Sequence, residues 1–175
     1  LVGFGDPQRL AWEYASQIRP WFQPMLHAIF MKLFMGLGIY SPFDAAFFFR
    51  LVYGYLNIYT LISLWKFFKE RYSLNVSWFL WISLIWFFPY IHVRTSSENL
   101  AGVFLSFGLL ALLKNPKYFW SGVLFGFSFL ARYQIALGLF GLGLALLARD
   151  RKITRDHWKL LAGFILPVVL GLFLD

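Results

Sequence analysis

The sequence contains no cysteine among its 175 residues. This absence excludes disulfide bonds and metal sites built on thiolates, and it leaves the redox compartment undetermined. A glycine-rich nucleotide loop, the spacing of a zinc site and a Ser-His-Asp arrangement are also missing. The first residue is Leu1, no secretory signal pattern precedes the first segment, and an apolar run leads directly to Asp175. We therefore interpret the sequence as a fragment that is open at both ends.

Acidic residues are scarce, since 8 Asp and Glu stand against 16 Lys and Arg and the net charge is +8. Hydrophobic residues make up 60% of the chain, and the mean hydropathy is +0.65, whereas a soluble domain is about 45–50% apolar. These values predict an all-α, polytopic integral membrane protein. In such a protein excess basic residues orient the loops and contact anionic membrane lipids, so we expect no nucleic-acid partner.

A short polar stretch divides two strongly apolar segments. Residues 92–99, His-Val-Arg-Thr-Ser-Ser-Glu-Asn, separate the apolar residues 78–91 from the apolar residues 100–113. We call this stretch the polar island. A charge at bilayer depth costs between about 2.5 and 17 kcal/mol, so Arg94 and Glu98 must lie at an interface, form a pair or line a wet cavity. Ser96 or Ser97 would cap the following helix, which places Glu98 at its positive end.

Residues 1–41 predict interfacial helices, and residues 42–175 predict about six transmembrane helices. Asp6 and Pro7 are typical of a helix start, and Pro20 would end that helix. The apolar segment 21–40 is interrupted by polar side chains, so it either spans the membrane or lies on its surface. The later apolar segments comprise residues 43–68, 78–91, 100–113, 118–130 and 135–148, and the run that leads to Asp175.

Basic loops set the expected orientation. Residues 66–71, 114–117 and 149–159 are rich in Lys and Arg, which mark the cytoplasmic side. If all three loops face the cytoplasm, segments 118–130 and 135–148 are two separate spans rather than one broken segment. The opposite, outer face then gathers the polar island and residues 131–134, and it gains the N-terminal stretch if segment 21–40 does not cross. Its polar and aromatic residues are Trp12, Glu13, Arg19, Arg94, Glu98, Arg132, Gln134 and Asp175.

Several motifs on this outer face resemble one family. The stretches are Trp12-Glu13-Tyr14, Ile18-Arg19-Pro20 with Gln23-Pro24, Arg94-Thr95-Ser96-Ser97-Glu98-Asn99, and Gly126 to Gln134, and Asp175 matches the start of a later outer loop. In this order and spacing they resemble the GPI-mannosyltransferase and Alg9-like group of type-C glycosyltransferases, especially its bacterial members. The resemblance covers residues 12–175.

The resemblance implies a single membrane-embedded glycosyltransferase domain over residues 1–175. It would move a sugar, usually mannose, from a polyprenyl- or dolichyl-phosphate carrier to a lipid-linked glycan or GPI-like acceptor. The active face would be periplasmic in a bacterial cytoplasmic membrane, or lumenal in the endoplasmic reticulum. The family's acidic pair, thought to supply the catalytic base, would lie upstream of Leu1, and Asp6 does not replace it. Dependence on a divalent metal is left open, and no metal ligands are predicted.

Arginine suits the carrier phosphate because its guanidinium holds phosphate oxygens bidentately. The candidates are Arg94, Arg132 and Arg19, in that order. Glu98 would orient Arg94 across the four-residue spacing or bind a sugar hydroxyl, and Gln134 would also bind a hydroxyl. Trp12, Glu13 and Asp175 complete the predicted substrate-binding set. Four glycines are interpreted as close helix packing: Gly122, Gly126, Gly138 and Gly141.

Simpler interpretations remain for each feature. The polar island can be a loop with a capped helix, Trp12 an interface anchor, and Arg132 a side chain that snorkels to the headgroups. A transporter or flippase for a lipid-linked substrate is the alternative function, and a non-catalytic scaffold is another. A transporter predicts polar residues through the whole bilayer, whereas here they concentrate on one side.

Overall fold

A computed structural model of the protein describes residues 22–39, 41–73, 75–83, 85, 88–114 and 116–174, and these residues form helices without a strand. The all-α prediction is therefore confirmed for this part of the chain. The helices are α1 (Phe22–Gly36), α2 (Pro42–Tyr72), α3 (Val76–Ser83), α4 (Phe88–Val93), α5 (Ser97–Lys114), α6 (Tyr118–Ala131), α7 (Ile135–Asp150) and α8 (Arg155–Leu174).

Local sequence explains where the longest helix begins and ends. The hydroxyl of Ser41 accepts a hydrogen bond from the backbone N–H of Asp44 at 3.4 Å, and Pro42 occupies the first helical position, where its missing N–H costs nothing. Ser73 closes α2 in the left-handed conformation (φ 51°), and its N–H donates to the Lys69 carbonyl. A serine cap and a left-handed C-terminal residue are ordinary helix boundaries.

Two of the described helices, α2 and α5, are long and apolar enough to cross a membrane. Only 22% and 33% of the residues in their apolar windows are buried, whereas the core helix of a soluble protein would be mostly buried. Individual large apolar side chains of α2 and of other helices are exposed, including Phe43 at 86% and Leu137 at 81%. Such surfaces fit contact with lipid. The number of six transmembrane helices stays a prediction.

Segment 78–91 does not form one helix. It holds parts of two short helices, α3 and α4, and residues 84, 86 and 87 between them lie outside the described residues. Pro89 stands in the first turn of α4, a position that tolerates proline because no helical hydrogen bond from its nitrogen is needed there.

Contacts along the helices give their directions. Tyr53 packs with Leu100 in one cluster, and the Tyr59 and Phe107 rings lie 5.6 Å apart, so α2 and α5 run the same way. The hydroxyl of Ser128 donates to the Ala101 carbonyl at 2.7 Å, near the end of α6 and the start of α5. Helix α6 therefore runs opposite to α5.

Helices α6 and α7 are separate and antiparallel, as the orientation argument predicted. Ile135, at the start of α7, packs against the cluster that contains Ala131, whereas Leu146 joins a cluster with Leu112 and Phe125. The chain therefore reverses direction at residues 132–134. The tip between the two helices lies at the same end of the bundle as the polar island.

Glycine contacts join α6 to α8. A Cβ at Gly122 would lie 2.1 Å from the Leu160 carbonyl oxygen, and a Cβ at Gly163 would lie 2.1 Å from that of Phe119. The packing interpretation thus holds for Gly122 and also for Gly126, whose Cβ would lie 2.3 Å from Pro167 Cγ. It does not hold for Gly138 and Gly141, because both lie on an exposed face of α7 and no atom of the described residues is within 4 Å of an added Cβ.

The basic loops meet at the other end of the bundle. Lys114, at the end of α5, pairs with Glu70 near the end of α2 at 3.1 Å. Both residues line a cleft of about 460 Å³, to which α7 contributes Arg149 and the start of α6 contributes Tyr118. The structure thus places the three basic loops together and opposite the polar island. We call the end of the bundle with the basic loops the inner end and the end with the polar island the outer end.

Candidate functional site

The polar island connects α4 to α5 through a tight backbone turn. The Arg94 N–H donates to the Ile91 carbonyl at 3.1 Å, and the Ser96 N–H donates to the Arg94 carbonyl at 2.9 Å. The Ser96 hydroxyl accepts from the Asn99 N–H at 3.3 Å. Ser96 is therefore the N-cap of α5, one of the two predicted alternatives, and Glu98 lies in the first turn as expected.

Two buried asparagines hold this turn by its carbonyl groups. Asn57 and Asn99 are only 6% and 8% exposed, and each donates from Nδ2 to the His92 carbonyl at 3.0 Å. Asn99 Nδ2 also donates to the Arg94 carbonyl at 2.9 Å, and Asn57 Nδ2 donates to the Tyr53 carbonyl at 2.8 Å. All four Nδ2 hydrogens of the two amides are thus used.

The Asn57 amide also determines which nitrogen of a neutral His92 ring carries the proton. Because Asn57 Nδ2 donates to two carbonyls, its Oδ1 faces His92 Nδ1 at 3.1 Å as an acceptor. The proton of a neutral His92 ring therefore lies on Nδ1. Partial burial lowers the pKa of His92, which favours this neutral form near pH 7.

Helix α1 packs against the same turn. Gln23 Nε2 donates to the Thr95 carbonyl at 3.1 Å, and His27 Nε2 lies 3.1 Å from the Tyr53 hydroxyl. Burial also lowers the pKa of His27. The rings of His27, Phe30 and Phe34 all contact Phe49, and Phe34 also contacts Phe48, so α1 packs against the first part of α2. That segment 21–40 lies on the outer interface and does not span the membrane stays a prediction.

Glu98 pairs with Arg132, which joins the start of α5 to the residue that follows α6. The two residues are 34 positions apart in sequence. The suggested pairing of Glu98 with Arg94 is wrong, because a four-residue spacing brings side chains together only within a helix and α5 begins at Ser97. Within the described ranges Glu98 contacts the guanidinium of Arg132 instead.

Arg94 is exposed and, among the described residues, its guanidinium has no ion-pair partner. Its carbonyl is bonded to Asn99, which is the neighbour of Glu98. Arg94 and Arg132 are therefore both placed at the first turn of α5. Gln134 is exposed at the start of α7 and makes no side-chain cap hydrogen bond. Trp12, Glu13, Arg19 and Asp175 lie outside the described residues, as does the predicted helix over residues 6–19.

Sequence reasoning missed the residues that hold the polar island. In the sequence Asn99 is only the last residue of a motif, and Asn57 is only a polar residue within the apolar segment 43–68. A lone amide in a transmembrane segment is a usable signal, since it must find hydrogen-bond partners inside the protein. That signal does not identify the partner, because His92 is 35 residues away from Asn57.

The site presents two guanidinium groups and one carboxylate at the outer end of the bundle. Such a set suits an anionic ligand with hydroxyl groups, because guanidinium binds phosphate and carboxylate accepts hydrogen bonds from hydroxyls. The described residues contain no group of three or more His, Asp or Glu side chains that is close enough to hold a metal ion.

Comparison with known proteins identifies one family. The family model described as "Alg9-like mannosyltransferase family" matches residues 4–175. No curated protein and no solved structure matches the chain.

Proposed function

Because the chain belongs to the Alg9-like mannosyltransferase family and is thus a membrane glycosyltransferase, we propose that it transfers mannose from a polyprenyl- or dolichyl-phosphate carrier. The acceptor is a lipid-linked glycan or a GPI-like lipid. The transfer takes place on the outer face, which is periplasmic in a bacterial cytoplasmic membrane or lumenal in the endoplasmic reticulum.

The observation that carries this proposal is the ion pair between Glu98 and Arg132. It joins two motifs from distant parts of the sequence, and it places them at the same helix start as Arg94. The site lies at the end opposite the basic loops, where a cytoplasmic nucleotide sugar would not reach it. A carrier lipid reaches such a site from within the membrane.

The reaction moves negative charge onto the carrier phosphate. The acceptor hydroxyl attacks the anomeric carbon of the mannose, and the bond between that carbon and the phosphate oxygen breaks. The carrier phosphate leaves with the bond's electrons, and the hydroxyl proton passes to a carboxylate base. Arg94 binds the leaving phosphate, and Arg132 and Arg19 contribute further positive charge. Binding that strengthens as this charge develops lowers the barrier.

Glu98 has two roles in this scheme. Its contact with Arg132 orients that guanidinium, and its second carboxylate oxygen accepts from the Ser97 hydroxyl at 3.4 Å. Because Glu98 is 57% exposed, it also has room for a sugar hydroxyl. Gln134, Trp12, Glu13 and Asp175 are the other proposed contacts to donor or acceptor.

The hydrogen bonds of polar side chains at the outer end favour an enzyme over a transporter. Hydrogen bonds to backbone carbonyls in the outer half of the bundle come from the side chains of Asn57, Asn99 and Ser128. Further along α2, the hydroxyls of Thr60 and Ser63 donate to carbonyls of their own helix at 2.7 and 2.8 Å. Among the described residues, these hydroxyls do not extend the polar network of the outer end across the bundle.

Substitution of Arg94 tests the proposal. Arg94→Lys keeps the charge but loses the bidentate contact, and we expect a loss of about 1.5–3 kcal/mol of transition-state stabilisation, or roughly 10- to 100-fold in rate. Arg94→Ala should lose more. The measurement is mannose transfer from a polyprenyl-phosphate donor to a lipid-linked acceptor by full-length protein in vesicles, at matched protein levels.

Arg71→Ala is the matched control, because Arg71 is also exposed but lies on the inner cleft. It should retain the wild-type rate. A wild-type rate for Arg94→Ala would contradict the role of Arg94. Movement of the lipid-linked sugar across the bilayer without transfer would instead favour a transporter.

A further inference from the structure

We propose that Asn57 and Asn99 are positioning residues that act on the reaction through Arg94. This inference rests on the proposed function, because it assumes that Arg94 binds the leaving phosphate. It assigns a role to two buried side chains that are too enclosed to contact the substrate themselves.

The hydrogen bonds bracket Arg94 on both sides. The His92 carbonyl, which both amides hold, belongs to the peptide before Val93, and the Arg94 carbonyl, which Asn99 holds, belongs to the peptide after Arg94. The next carbonyl, that of Thr95, accepts from Gln23. Side chains from α1, α2 and α5 therefore hold three carbonyl groups of this short turn. These hydrogen bonds fix the backbone on both sides of Arg94. They therefore fix the position and direction of its Cβ, from which the side chain extends to the guanidinium.

The cost of these buried amides argues for more than stability. Burying a polar side chain costs free energy unless it is hydrogen-bonded, and an apolar residue of similar size often does as well for stability. The hydroxyl of buried Thr60 avoids this cost within its own helix. Asn99 instead directs both Nδ2 hydrogens to the polar island. These two amides therefore hold the loop that carries Arg94.

Asn99→Asp is the most selective change. Asp keeps the size of Asn and is tolerated in the first turn of a helix, but it replaces the donor by an acceptor that faces two carbonyls. Misplacement of a positioned group by about 1 Å can cost about 100-fold in rate, so we expect kcat to fall by roughly 10- to 100-fold. The donor KM should change by less than about threefold, since the effect is on a contact that strengthens in the transition state. Asn99→Ala is the second variant, which loses the donor without adding a charge.

A double-mutant cycle separates positioning from structure. If Asn99 acts through Arg94, Asn99→Asp should cost little further activity in an Arg94→Ala background, because contacting residues are not additive. Ser128→Ala is the matched control, since it removes another buried hydrogen bond of α5, to the Ala101 carbonyl. Its effect should be the same in both backgrounds. Equal losses for Asn99→Asp in both backgrounds would overturn the inference while leaving the role of Arg94 intact.

A second measurement does not depend on catalysis. These 175 residues contain no cysteine, so a nitroxide can be attached at a single Arg94→Cys position in full-length protein once any cysteine outside them has been replaced. Asn99→Ala and Asn57→Ala should each increase the mobility of this label, whereas a label at Ser73 should not respond. An unchanged label at position 94 would overturn the positioning role even if mannose transfer had not been detected. A mobile label together with full activity of Arg94→Ala would overturn both the inference and the role of Arg94.

Discussion

Two ion pairs of the same kind lie at opposite ends of the bundle. Glu98 and Arg132 join α5 to the end of α6 at the outer end, and Glu70 and Lys114 join α2 to α5 at the inner end. Their side chains are comparably exposed, at 57% and 35% for the outer pair and 61% and 50% for the inner pair. Exposed pairs of this kind contribute about 0–1 kcal/mol to stability. Stability therefore does not distinguish them.

Their surroundings do distinguish them. The outer pair adjoins a turn whose carbonyls are held by buried Asn57 and Asn99 and which carries a further arginine, Arg94. The inner pair lines an open cleft together with other basic residues, and such residues serve to orient a membrane protein. The comparison teaches that the two ends differ in the buried amides that hold the backbone beside the outer pair, not in the ion pairs themselves.

The largest expected effect concerns which side of the membrane each end faces. Single cysteines at Ser16, Ser41 and Ser97 should react completely with an impermeant thiol reagent applied from the outer side, and a cysteine at Ser73 should not react. The reason is that segment 21–40 is predicted to lie on the outer surface, whereas Ser73 follows the basic end of α2. The measurement is mass labelling of each variant in sealed vesicles.

Permeabilised vesicles provide the control, because all four positions should then react. Labelling of Ser16 from the cytoplasmic side alone would show that segment 21–40 crosses the membrane. The outer face would then lose its N-terminal residues, and Arg19 would no longer belong to the site.

The next effect is an exchange of charges within each pair. Glu98→Arg combined with Arg132→Glu restores an ion pair but moves the guanidinium, so we expect mannose transfer to fall by roughly 10- to 100-fold, as for the loss of one charge-assisted contact. The matching exchange at the inner end, Glu70→Lys with Lys114→Glu, should leave the rate within about twofold, because exposed pairs contribute little. Rates are compared in reconstituted vesicles. Full activity of the outer exchange would reduce that pair to a structural contact.

The smallest effect is on stability and involves neither end. Gly122→Ala adds a Cβ that would lie 2.1 Å from the Leu160 carbonyl oxygen, so the contact between α6 and α8 must open at a cost of about 1–3 kcal/mol. Gly141→Ala makes the same chemical change where no atom of the described part of the chain lies within 4 Å of the new Cβ, and it should not lower the melting temperature. Thermal unfolding of both variants in detergent measures the difference. Equal melting temperatures would show that α6 and α8 are less tightly packed than the structure indicates.

Local features of the fold were predictable from the sequence. Apolar composition predicted helices, the clusters of Lys and Arg predicted a shared inner end, and the Ser-Ser-Glu motif predicted the capped start of α5 with Glu98 in its first turn. These features depend on neighbours in sequence, since a cap, a charge cluster and an apolar run each act within a few residues. For the same reason the motifs around Arg94 and Arg132 identified the family before any contact between them was known.

Only the tertiary structure decided which of these residues meet. Glu98 contacts Arg132 across 34 positions rather than Arg94 across four, and Asn57 reaches the His92 carbonyl across 35 positions. Gly122 packs closely against α8, while Gly138 has no atom of the described residues within 4 Å of an added Cβ, although both are glycines in apolar helices. Such differences arise because contact between helices depends on their directions and on which face of each is covered, and neither is a local property of the chain.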